Sequence, residues 1–295
     1  QYAMQPMSKS DLQIGDILIF ENFDFSLDKF FKTWEEDGAE KAAFYLLVYL
    51  IPWFDPGKEG QNYRNIYHAA IWGHVDINFG KNTFPKVMDC VVQAGSHGIG
   101  AATLESTLNA DSVAKLYVYR RKGDLDTDTI NKAISDFYYD GSIKYSYSTA
   151  WMLAVICSMR YKDGEIRKII LDKIPNRFIA ESVIVAITLL INEYSEGHQK
   201  DMIACSTLVA MCLKNAGYPI HVEPLTESPE LILDDQLMVS SVQPEIQLPG
   251  SIPEIKRTPI EETIITPRQL FESPDVELVD VIAVIVLKIF NPDTV

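Results

Sequence analysis

An α+β fold is predicted, on three observations. Short strand-like segments crowd into 66–121, while apolar residues at three-to-four spacing dominate 125–217. The composition is that of an ordinary globular protein, 47% hydrophobic and 23% charged, with 15 Gly and 15 Pro. At 295 residues the chain is long enough to bury one large core. The organisation expected is a single domain over 1–295, with insertions at about 35–65 and 219–262.

The stretch "LQIGDILIF" (12–20) reads as a buried strand entered through a Gly15-Asp16 turn. Residues 22–58 are helix-like and include the apolar run "AAFYLLVYLIPWF" (42–54), which Pro52 should stop. In "YHAAIWGHVD" the side chains alternate: His68, Ala70, Trp72 and His74 share one face, with Ala69, Ile71 and Val75 largely on the other. "KVMDCVVQAG" and "AKLYVYRRKG" follow at short distance, which favours an antiparallel meander. Between them, the glycines of "SHGIGAATLES" read as a tight connection.

Helices come next. "DTDTINKAISDFYYDG" opens with acidic residues suited to the positive end of a helix dipole. "TAWMLAVICSMRY", "AESVIVAITLLINEY" and "ACSTLVAMCLKNAG" continue the series. From 218 to 260 the composition shifts to Pro, Glu, Ser and Asp, as expected of a surface insertion or arm. The tail "TPRQLFESPDVELVDVIAVIVLKIF" reads as a short helix and a final strand or two.

The formal charge of −15 argues against a nucleic-acid groove and against electrostatic docking to anionic lipid. No apolar run reaches the ~18 residues a membrane-spanning helix needs. The run 42–54 is expected as a buried or partner-facing helix, with a peripheral membrane contact as the alternative. No signal peptide is visible at the N-terminus, and the cellular address stays open between a cytoplasmic and an exported protein. The four cysteines, Cys90, Cys157, Cys205 and Cys212, show neither a CxxC pair nor a dense spacing, so no zinc site or disulfide framework is expected. His68 and His74, six residues apart on one strand, would stand about 20 Å apart at ~3.3 Å per residue, too far to share a metal.

Cys205 has its own chemistry. Leu208, Val209, Cys212 and Leu213 recur at helical spacing and Gly217 sits just past the helix end, which puts Cys205 on the first turn. Unpaired amides and the helix dipole there favour a thiolate, and the same amides can hold an oxyanion. A thiolate of this kind works with a histidine held by a third polar group. His68 begins an alternating strand and Gln93 lies on the next, within reach of its ring. Spacing alone leaves Cys205 between a nucleophile and a buried small residue. For Cys212, two turns inward, packing is the better reading.

In their order, "GDILIF", "YHAAIWGH", "VVQAG", "KLYVYRRKG", "GSIKYSYS", "ACSTLVAMCLKNAG" and "TPRQLFESPDVELV" resemble the circularly permuted NlpC-type cysteine hydrolases of papain-like fold. The YiiX-like group is the nearer part of that family and the lecithin:retinol acyltransferase-like enzymes the more distant. The resemblance covers roughly 11–34, 66–148, 202–218 and the tail from 266. It implies an antiparallel sheet or small barrel packed against helices, with His68 as base, Cys205 as nucleophile and Gln93 where an acidic residue usually stands. Tyr145 matches a cleft tyrosine. Ser206, beside the nucleophile, and Trp72 join Tyr145 as candidate substrate-binding residues, although Trp72 and the tyrosines of "YSYS" serve equally well as core.

Two departures matter. A neutral Gln93 can accept the imidazole N–H but stabilises imidazolium less than a carboxylate would. "CSTLV" stands where "CSELV" is usual, and "A-C-S" instead of "N-C-E" disfavours the acyltransferase branch. Asp89 is the alternative orienting residue, should the strand register differ. His97 reads as a surface or rim residue, and His198 and His221 as solvated.

The activity implied is cleavage of an amide (peptide, isopeptide or lipid amide) or ester through a thioester acyl-enzyme, with no metal or organic cofactor. Partners are then a peptide or lipid-like substrate. A catalytically weak or inactive papain-like interaction module and an acyltransferase are the competing readings.

Overall fold

In the computed structural model the described residues are 11–57, 65–95, 98–140, 149–196, 204–225 and 264–283. Tyr145, His97 and His198, and most of the 219–262 insertion, lie outside them. The architecture is α+β. Among the described residues nine helices pack with one six-stranded sheet of order β4-β3-β2-β1-β5-β6. The strands are β1 (Ile17–Glu21), β2 (Ile66–Ile77), β3 (Lys86–Gly95), β4 (Gly98–Ala102), β5 (Lys115–Arg121) and β6 (Val276–Ala283), and every neighbouring pair is antiparallel. β2 and β3 pair as the expected meander requires, but its third strand does not continue it: β4 takes the place beside β3, and β5 returns to the far side of β1, leaving the first strand central. The barrel alternative is not realised among the described strands: β4 and β6 are the edges of an open sheet.

Alternation along β1 explains two cores. Ile17 and Ile19 point into a large cluster shared with the helices, together with Ala69, Ile71 and Val92. Leu18 and Phe20 point to the opposite face, where Ala70, Trp72, Val91, Leu116 and Val118 form a smaller cluster. All five residues of β1 are buried, which is why it reads as a continuous apolar run.

The Gly15-Asp16 turn locks the middle of the sheet. Gly15 has φ +94°, a left-handed conformation, and a Cβ there would come within 3.0 Å of Ile130. Its amide donates to Trp72 O at 2.8 Å, and Trp72 N returns a bond to Asp16 O at 2.8 Å. The Asp16 carboxylate, fully buried, takes a two-pronged bond from Arg120 (Nε to Oδ1 2.7 Å, Nη2 to Oδ2 2.8 Å). A motif that looks like a simple turn thus ties together the three central strands.

The helix-like region 22–58 is two helices, α1 (Leu27–Asp37) and α2 (Ala39–Phe54), separated by Gly38 at φ +95°. Pro52 does not stop α2, which runs on to Phe54. Its missing N–H falls in the last turn, and Asp55 N closes the helix onto Ile51 O at 2.8 Å. Val48, Tyr49, Leu50, Ile51, Trp53 and Phe54 are all buried, so the second half of 42–54 is core, while Ala43 and Phe44 (49% exposed) face outward in the first half. Among the described residues no helix is long and apolar enough to cross a membrane.

The remaining helices are α3 (Leu104–Leu108), α4 (Thr127–Tyr138), α5 (Thr149–Met159), α6 (Asp163–Lys173), α7 (Arg177–Ser195), α8 (Cys205–Asn215) and α9 (Pro267–Phe271). Strand β4 occupies the stretch expected to be a tight connection. Its glycines signal a turn, but pairing of Gly98 to Ala102 with β3 makes it an edge strand. Helix α6 gave no signal in the sequence, because a charged stretch with only two buried residues, Ile166 and Ile170, shows little apolar periodicity. Asp55, just after α2, is buried and bonded to Arg160, to Arg268 Nε (2.7 Å) and to Thr266 Oγ1 (2.6 Å). That cluster ties the ends of α2 and α5 to the start of α9.

Candidate active site

The site lies where the sheet forks. The β2–β3 ladder ends at Ile71↔Val92, although β2 reaches back to Ile66 and β3 on to Gly95. Past that pair, among the described strands, β2 pairs only with β1 and β3 only with β4. Trp72 turns its backbone groups toward the Gly15-Asp16 turn, so alternation aims the Ala69 amide at the β3 side, where no partner strand remains. Helix α8 packs against both strands and supplies the missing partner: the Ala69 amide hydrogen-bonds the Cys205 thiol.

Cys205 is the first residue of α8. The N-cap is Ala204, which has no side-chain oxygen with which to cap the first-turn amides. At the other end the chain leaves by the expected glycine. Gly217 (φ +89°) donates to Lys214 O at 3.0 Å and Tyr218 N to Leu213 O at 2.8 Å, the paired bonds of a Schellman ending. Tyr218 Oη then accepts from Asp126 N at 2.7 Å, anchoring the start of α4.

His68 spans the fork. Its Nε2 lies 2.8 Å from Gln93 Oε1, and its ring also hydrogen-bonds Cys205. An amide oxygen only accepts, so Nε2 carries the proton and Nδ1 is left as the basic nitrogen. Phe20 packs edge-on to the imidazole at 4.9 Å between centroids, and Tyr67 stacks beside it at 6.1 Å.

The electrostatics single out one thiol. Burial works to raise the Cys205 thiol, but the His68 charge and hydrogen bond, the Ala69 amide and Ser206 outweigh it, and the group falls below its ordinary value. Burial likewise works against imidazolium at His68, yet the Cys205 charge, its hydrogen bond and that of Gln93 raise the ring above its usual value. The two shifts belong to one coupled pair, the thiolate and imidazolium each stabilising the other. The other three thiols go the opposite way: burial pushes Cys90 up to about 11, Cys212 up to about 12, and Cys157 well above the usual range. Burial also lifts Tyr67 to about 12, so its phenol, which donates to Ser112 Oγ at 3.0 Å, stays neutral beside the pair.

The other site expectations fare differently. Ser206 is fully buried, and its hydroxyl donates to Ile265 O at 2.6 Å, so it holds the chain and does not face a groove. Trp72 is 1% exposed within the smaller core, where its indole N–H has no partner among the described residues; it packs as a core residue. Tyr145 lies outside the described residues. Asp89 pairs with His74 at 2.6 Å and not with His68, since the register sets those two directly opposite. His221 is exposed and pairs with Glu223 at 3.0 Å. No group of three His, Cys, Asp or Glu side chains able to hold a metal occurs among the described residues.

The sulfur itself is covered, Cys205 having 0% exposure, while His68 and Gln93 are part-exposed. Reaction at Cys205 therefore requires local opening. Sequence reasoning missed three contributors: the Ala69 amide, Phe20 and Ile265. A backbone amide leaves no trace in residue identity, and Phe20 and Ile265 look like any core residue. No family model matches the sequence, and no curated protein matches it.

Proposed function

We propose that this protein is a cysteine hydrolase of the circularly permuted papain-like kind, cleaving an amide or ester. The observation that carries the reading is the chain of contacts Gln93–His68–Cys205, with the sulfur on the first residue of a helix. His68 Nδ1 takes the thiol proton, and the thiolate attacks the carbonyl carbon. The first-turn amides of α8 receive the oxyanion. As the tetrahedral adduct collapses, the imidazolium gives its proton to the departing nitrogen or oxygen, leaving a thioester. Water, deprotonated by His68, then attacks the thioester and releases the acid and the thiol. An alcohol or amine in place of water would make the same site an acyltransferase.

The covered sulfur favours a second reading, a papain-like interaction module without turnover. Iodoacetamide applied to the native full chain near neutral pH, with mass mapping of all four cysteines, separates the two. Labelling of Cys205 well ahead of Cys90, Cys157 and Cys212, and its loss in His68→Ala, is the hydrolase outcome. Equal sluggishness of all four thiols would leave the interaction module standing.

A further inference from the structure

We propose that the segment 264–269 is a clasp that sets the position of the nucleophile, with Thr207 and Ser206 as its positioning residues. The proposal rests on the hydrolase reading of Cys205. Two consecutive side chains of α8 take up both backbone groups of one clasp residue: Ser206 Oγ donates to Ile265 O at 2.6 Å, and Ile265 N donates to Thr207 Oγ1 at 3.1 Å. The side chains do here what the backbone of a neighbouring strand would do.

The clasp is fixed from behind as well. Thr266, fully buried, donates its hydroxyl to Asp55 Oδ2 at 2.6 Å, and Asp55 is held by Arg160 and Arg268. Gln269 accepts from Thr266 N at 2.7 Å and donates to Glu223 O at 2.7 Å, on the segment that leaves α8. The first turn of the cysteine helix and the segment that follows the helix, at Glu223, are therefore both bonded to one short stretch further along the chain. The need is local. The N-cap residue, Ala204, offers no capping oxygen to the tip that bears Cys205. Placement of that tip decides whether the sulfur meets both the imidazole and the Ala69 amide, and small displacements at a reacting atom are costly.

Ser206 also lies 3.9 Å from the sulfur, so Thr207, which acts through Ile265, is the cleaner test. The measurement is the rate of iodoacetamide labelling of Cys205 against pH, in the full chain. Thr207→Val keeps the shape and removes the acceptor. It should slow labelling near neutral pH about tenfold and move the labelling curve to higher pH. Thr207→Ser restores the hydroxyl and should restore the wild-type curve, which a merely structural role would not require. Thr266→Val cuts the clasp from Asp55 without touching α8 and should shift the curve in the same direction. Wild-type curves in Thr207→Val and Thr266→Val, with Cys205 reactive in the parent, overturn the clasp alone. An unreactive Cys205 in the parent overturns the hydrolase reading, and the positioning role falls with it.

Discussion

The same two strands carry two histidine pairs, and they differ in an instructive way. His74 and Asp89 stand directly opposite in the β2–β3 ladder, 2.6 Å apart, with side chains 49% and 55% exposed. His68 and Gln93 stand past the end of that ladder, 2.8 Å apart and largely enclosed. By residue type the first pair is the better catalytic dyad, since it has a true carboxylate. But it faces water, where such a pair is screened and weak; the His74 ring meets Asp89, its backbone amide donates to Asn131 Oδ1, and all four cysteines of the chain are buried elsewhere. The second pair has only a neutral amide, yet a helix tip brings a sulfur to its imidazole and the fork aims an amide at that sulfur. Enclosure strengthens each of those interactions. The fork and the helix make the site; the charge of the orienting residue does not.

The sharpest way to break this contrast is to remove the histidines one at a time. His68→Ala should lower kcat/KM on a p-nitrophenyl acyl ester by about 10³-fold or more, as should Cys205→Ala. Survival of activity within a factor of a few in both would place the chemistry elsewhere. Next in size is the orienting residue. Gln93→Ala should cost about tenfold, because the ring loses the acceptor that holds Nε2–H and its tautomer.

The pH profile sharpens the comparison further. The Cys205 thiol is lowered and the His68 ring raised, and both shifts favour the thiolate–imidazolium form of the pair. The rate should climb as pH rises through the lowered thiol value and fall as pH rises through the raised imidazole value. Gln93→Glu puts a negative charge beside the imidazolium and should carry the alkaline limb to higher pH. An unmoved limb in kcat/KM measurements would mean that residue 93 does not control the ring. The smallest effect is expected at the exposed pair. His74→Ala and Asp89→Asn should each leave activity within about twofold and change thermal stability by less than about 1 kcal/mol. A larger loss of activity would erase the distinction between the two pairs.

Much of the fold was legible because its signals are local. Alternation marks β2, the continuous apolar run marks β1, and Gly217 marks the end of α8. What was lost had competing or missing local signals. Glycines masked β4, charge masked α6, and Pro52 looked like a terminator although its missing donor falls in the last helical turn. For the site, the residue types and chain order of His68, Gln93 and Cys205 were readable, as was a helix-tip setting for the sulfur. The burial of Trp72 and the engagement of Ser206 by Ile265 were not, since both depend on which neighbour the fold supplies.

The sequence by itself determined most of the elements, the α+β class and the identity of the three polar groups, because period, caps and side-chain chemistry act over a few residues. Only the tertiary structure decided that β2 and β3 part after Ile71↔Val92, that α8 fills the gap, and that Asp89 belongs to His74. It also decided that three of the four thiols are raised and one is lowered. The physical reason is that a thiol's proton affinity is set by the charges, amides and low-dielectric surroundings within a few ångströms, and those come from residues up to some 140 positions away in the chain.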